Sequence, residues 1–163
     1  MPELKPLSKE AVPAALDRAK HYRLLNEPAA AESICRDILR VDPGNQEAII
    51  TLVLSMSDRL ARDYAVGDPK FREYLDRIND EYLRAYYTGI VYERRAKAIL
   101  KKGPEGSESN AYEIFRQALE WLEKAEAIRP EGNDDAILRW NGCVRVMEAN
   151  ALRPREAAGD FLE

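Results

Sequence analysis

The chain has 163 residues, 45% of them hydrophobic and 33% charged, with 25 basic against 29 acidic side chains and a net charge of −4. That length and apolar content suit one domain with a buried core and exclude a disordered chain. A mildly acidic total argues against a dedicated nucleic-acid binder.

Nine Pro and eight Gly divide the sequence into segments. Between them apolar residues recur at three- and four-residue spacing, the helical period, and strand-like alternation is nowhere sustained. The chain therefore reads as all-α. A first helix is expected from Ser8 or Val12 to Leu25, the later start removing the conflict with Pro13, which would otherwise stand past the first turn. A second runs from Glu27 to Arg40 and a third from Asn45 to Tyr64. A short helix starts at Pro69, with Asp68 as N-cap, and ends near Ile78. A long one spans Asp80 to Lys102. The next runs from Ser109 to Arg129 and the last from Asp134 to Asn150.

The most apolar stretch, Ala48 to Met56, is far shorter than the roughly 20 residues of a membrane-spanning helix. The first residues, Met1-Pro2-Glu3-Leu4-Lys5, lack the pattern of a secretory signal. Cys35 and Cys143 form no Cys-x-x-Cys pair and are read as buried thiols in a reducing compartment. The expected location is cytoplasmic.

An internal repeat is present. Ala31, Cys35, Ile38 and Pro43 recur as Ala118, Leu122, Ala125 and Pro130, with the same steps of four, three and five, each 87 residues later. A small Ala lets a neighbouring helix approach, and the larger residues one and two turns on fill the gap. This pattern resembles the tetratricopeptide repeat, a helix-turn-helix unit of about 34 residues. Ala15, Arg18, Ala19 and Tyr22 match part of the first-helix signature of that family, and Ala85, Thr88, Gly89 and Tyr92 match it better. Gly89 is read as a close helix contact, since mid-helix Gly otherwise costs about 1 kcal/mol relative to Ala. Gly142 is read the same way. The resemblance implies a right-handed helical solenoid of about three and a half units in one domain, 1–163. The units are about 12–45, 46–79 and 82–130, followed by a capping helix at 133–150 and a tail at 151–163. Two units need roughly 68 residues, so 19 of the 87 are extra, and the third hairpin is expected to be lengthened and to project. Phe161 and Leu162 of the tail could cover the open edge of the last, unpaired helix.

Catalytic patterns are sparse. His21 is the single histidine and has no sequence-local partner. No Cys/His cluster suggests zinc. The Gly103-Pro104-Glu105-Gly106 run lacks the Lys-Ser/Thr of a phosphate-binding loop. Asp134 and Asp135 stand at a helix start, where the helix dipole accounts for them. No cofactor and no enzymatic activity are expected.

The repeat register places Leu16 and Lys20, Ile50 and Leu54, Tyr86 and Ile90, and Ile137 and Asn141 on the face that lines the concave groove in the family. One turn on come Arg23, Asp58, Arg94 and Arg145. The expected groove has an apolar floor and a mostly basic edge, suited to an extended or helical peptide with acidic flanks. The family form that clamps a chaperone's C-terminal carboxylate with Lys, Asn and Arg is not matched, because its positions here hold Leu16, Lys20 and Thr51. Arg95, Lys97, Lys101 and Lys102, in the basic run from Arg94, form a candidate second docking patch on the lengthened hairpin. No aromatic residues interleave them, so protein ranks above RNA as its partner. Trp121 and Trp140 are read as packing residues. The resulting expectation is an adaptor or assembly factor for a protein or peptide. The alternative is a structural subunit of a homo- or hetero-oligomer, joined through its open C-terminal edge and projecting hairpin.

Overall fold

The computed structural model describes residues 1–62 and 67–156. Among them the chain forms seven α-helices and no strand: α1 (Val12–Leu24), α2 (Pro28–Val41), α3 (Gln46–Arg59), α4 (Asp68–Leu75), α5 (Glu81–Lys102), α6 (Glu108–Ala127) and α7 (Asp135–Ala149). Tyr64, Phe161 and Leu162 lie outside the described residues.

Local chemistry sets the helix ends. A 3-10 turn, Lys9–Ala11, leads into α1, so Pro13 stands in the first turn, where its missing N–H is not needed. The Asn45 side chain accepts from Ala48 N–H at 2.9 Å, and the Asp80 side chain accepts from Leu83 N–H at 2.8 Å. At the end of α1, Asn26 adopts φ 62°. There Asn26 N–H donates to Arg23 C=O and Glu27 N–H to Tyr22 C=O, both at 2.9 Å. This left-handed helix end turns the chain into α2. Some boundaries differ from expectation. Helix α3 ends at Arg59, and α6 ends at Ala127. Asp68 is the first residue of α4, with Gly67 as the N-cap and no side-chain cap bond. Helix α4 stops at Leu75, and buried Ile78 follows in a turn.

Neighbouring helices pack in sequence: α1 on α2, α2 on α3, α5 on α6, and α6 on α7. Helices α1, α3, α5 and α7 also touch in that order. The connection between α2 and α3 is tied to the segment that follows α4. Gln46 Nε2 donates to Arg77 C=O at 3.0 Å, its Oε1 accepts from Asn79 N–H at 2.8 Å, and Arg77 Nη2 donates to Pro43 C=O.

The repeat positions Ala31, Cys35 and Ile38, and Ala118, Leu122 and Ala125, are all fully buried. So are Ile49, Leu52, Val53 and Met56 on α3. One core gathers these α3 residues with Ala19, Cys35, Phe71, Ile78 and Val91. A second gathers Ala96, Ala111, Phe115, Leu122 and Cys143. Helix α5 has 22 residues and α6 has 20, against 13 to 15 in α1, α2, α3 and α7. The added length is packed: Ala96, Ala111 and Phe115 are buried, and Ile99 and Leu100 lie against them.

Gly89 fixes the crossing of α5 and α6. A Cβ at this position would stand 2.9 Å from Leu122 Cδ2 and Cγ, and 3.4 Å from Ala118 C=O. Gly142 differs from expectation, since a Cβ there would meet nothing within 4 Å. It lines the opening left between α5 and α7. Gly89→Leu should therefore lower stability in urea unfolding by about 1–3 kcal/mol. Gly142→Ala should raise it by about 1 kcal/mol, the helix-propensity difference.

Candidate binding surface

Among the described residues three carboxylates, each paired with at least two cations, tie helices together. Asp58 on α3 accepts from Arg23 of α1, with Nε at 2.7 Å and Nη2 at 3.3 Å, and from Arg94 Nη1 of α5. Their side chains keep only 19%, 25% and 27% of their exposure respectively. Glu93 on α5 is 2% exposed. It pairs with Lys97 at 2.5 Å and with Arg139 of α7 at 3.3 Å. Glu32 on α2, 5% exposed, pairs with Arg36 at 2.7 Å and with Arg59 of α3 at 2.8 Å. Burying a carboxylate is costly without opposite charge and hydrogen bonds, and each of these has both.

These contacts define what the row of α1, α3, α5 and α7 presents. Arg23, Asp58 and Arg94, aligned by the sequence register, meet in space. Because one carboxylate serves both guanidinium groups, this part of the expected basic edge carries a net charge of about +1. Lys20 is exposed and pairs with Glu47 of α3. Arg145 and Asn141 are exposed on α7 and do not join the Asp58 cluster. Leu16, 8% exposed, packs with Val12, Ile38 and Ala48, and Ile90 is 2% exposed, so both lie within the packing. Ile50, Leu54, Tyr86 and Ile137 keep partial exposure and form the apolar part of the row. Tyr86 stacks on Tyr82 with centroids 5.8 Å apart and meets Tyr87 edge-on at 5.2 Å. An opening beside Tyr86, lined also by Glu93, Lys97, Leu138, Arg139 and Gly142, has a volume of about 390 Å³.

The second patch is dispersed. Arg95 turns toward α4, pairs with Asp68 at 2.8 Å and lies 5.5 Å from the centre of the Phe71 ring. Lys97 is held by Glu93. Lys101 and Lys102 are exposed in the last turn of α5, where the helix dipole favours cations.

The linking role of the three carboxylates was not read from sequence. Glu32 and Glu93 each stand four residues before a cation, Arg36 and Lys97, which is a detectable helical signal. Their more distant partners, Arg59 and Arg139, leave none. His21 is exposed. Among the described residues no three His, Cys, Asp or Glu side chains group as a metal-binding set, and no helix is long and apolar enough to cross a membrane. Burial pushes the thiols of Cys35 and Cys143 up to about 12.

Asp58→Ala should cost about 2 kcal/mol in urea unfolding, because it removes two charge-assisted contacts and leaves two guanidinium groups adjacent. A double-mutant cycle with Arg23→Ala should give a non-zero coupling energy. Both cysteines should resist a thiol reagent in the folded chain near neutral pH and react on unfolding. Because the folded-state thiols titrate above the ordinary value of 9.0, their contribution to stability is intact below that pH. It is lost as pH rises from there toward about 12, where the unfolded chain alone releases the protons; urea midpoints across this window check the sign.

Comparison with protein-family models, curated proteins and solved structures finds no match to this chain.

Proposed function

We propose that this chain is a tetratricopeptide-like helical solenoid, a single cytoplasmic domain that binds another protein or peptide on the row formed by α1, α3, α5 and α7. The observation that carries this reading is the Arg23–Asp58–Arg94 cluster. Its members stand 35 and 36 residues apart on three alternate helices, close to the roughly 34-residue period of the repeat. Such a stack presents a surface whose side chains are held before a partner arrives, which lowers the ordering cost of binding. Leu54, Tyr86 and Ile137 supply apolar anchors, and Arg145 and the net charge of the Arg23–Asp58–Arg94 cluster supply positive charge. An acidic peptide with apolar anchors fits this combination. The work of the protein is recognition, as an adaptor or assembly factor, without covalent chemistry.

One observation favours the structural-subunit reading. Helix α7, the last helix of the row, leaves Leu138 66% exposed. A neighbouring subunit would cover that end of the stack.

Photo-crosslinking residues separate the two. Placed at Leu54 and Ile137 in the cellular protein, they should yield a shared adduct that is missing when the same residue replaces exposed Arg116 on α6. Adducts from Leu138 alone, with a purified chain that sediments as an oligomer, would support the subunit reading. Adducts confined to Arg116 would defeat both.

A further inference from the structure

A second site lies away from the row, where α4, α5 and α6 leave a cavity of about 330 Å³. Its origin is the shortness of α4. Eight residues span about 12 Å, too little to cover the 22-residue α5 between α4 and α6. Phe71 and Leu75 of α4, Val91 of α5 and Trp121 of α6 give it apolar walls.

Its polar lining is unbalanced. Arg84 faces the cavity, and its Nε is buried with no hydrogen-bond partner. Among the described residues neither Arg84 nor Arg72 has an ion-pair partner. Of the two lining carboxylates, Asp68 is taken by Arg95, and exposed Asp76 pairs with neither arginine. A buried guanidinium nitrogen without a partner is an unmet demand for an acceptor.

We propose that this cavity binds a partner peptide in which an acidic residue adjoins a large apolar one. The carboxylate answers Arg84, and the apolar side chain enters between Phe71 and Trp121. The volume is at the small end of ligand pockets and suits one large side chain with its neighbouring carboxylate. None of Leu54, Tyr86 or Ile137 lines this cavity, so the site stands apart from the proposed row.

The two tryptophans make the test local. Trp121 lines this cavity, and Trp140 lines a different one beside α7. In the isotope-labelled full chain, the two indole N–H signals are assigned with Trp140→Phe. The chain is then titrated with the peptide acetyl-Gly-Glu-Phe-Gly-amide, its Gln counterpart, and 3-phenylpropionate. The Glu peptide should move the Trp121 signal saturably, leave Trp140 in place, and bind at least about tenfold more tightly than the Gln peptide. Arg84→Gln should abolish that difference, and Arg84→Lys, which keeps the charge, should retain part of it. Circular dichroism melting checks that both variants fold. Equal response to the two peptides, or no response to the Glu peptide at millimolar concentration, would overturn the proposal. So would a Trp121 response to phenylpropionate without one to the peptide, which would mark a small-molecule site. If Arg84→Gln fails to fold, loss of the Glu/Gln difference in Arg84→Lys would likewise count against it.

Discussion

Two helices come together only as closely as the residues at their crossing allow, and the α5–α6 pair depends on this at Gly89. The missing side chain admits Leu122 to the surface of α5 with Ala118 beside it. That seats the most extensive helix–helix interface among the described residues. The same rule operates with Ala in the N-terminal half, where Ala19 and Ala31 are fully buried. Small residues set the spacing, and larger neighbours such as Cys35, Ile38 and Leu122 occupy the space left between.

Close packing alone would permit sliding along helix faces. The charge clusters, around buried Glu32 and Glu93 and half-buried Asp58, oppose it. Asp58 joins α1, α3 and α5, Glu93 joins α5 and α7, and Glu32 joins α2 and α3. A shift of one turn would strip a carboxylate of its cations while leaving it buried, a larger penalty than the lost attraction itself. The clusters thus bear on register more than on net stability. They also use up cations that composition would count as available. The surface charge of the row cannot be obtained by counting Arg and Lys.

Much of the fold was legible because Pro and Gly stand at the joints and apolar periodicity is strong between them. The repeat positions were legible because packing at a crossing leaves a mark within one helix: Ala118, Leu122 and Ala125 lie on one stripe, and all are fully buried. Gly142 was not legible. A helical Gly looks the same whether a neighbour touches it or space surrounds it, and only the packing of the neighbouring helix decides. The alignment of α1, α3, α5 and α7 in a row was legible, and the charge distribution along it was not. Arg23, Asp58 and Arg94 fell into one register, but their pairing spans 35 and 36 residues, with no local signature. Leu16 and Ile90 lie at the limit of a helical wheel, where a modest rotation separates a buried side chain from an open one. The short α4 could be seen in advance. The cavity beside it could not, because a gap is a property of three helices at once.

Helix α5 belongs to both halves of the molecule. Val91, with Leu83 and Tyr87, faces the core built on α3, while Ala96, with Ile99 and Leu100, faces the core shared with α6 and α7. In a stack whose units meet only their neighbours, structure can be lost one unit at a time from either end. Here fraying that starts at α7 must reach α5 before it can touch α3. The 22-residue helix therefore works as a splice between two cooperative blocks: disorder arriving from one side is met by a helix still anchored on the other.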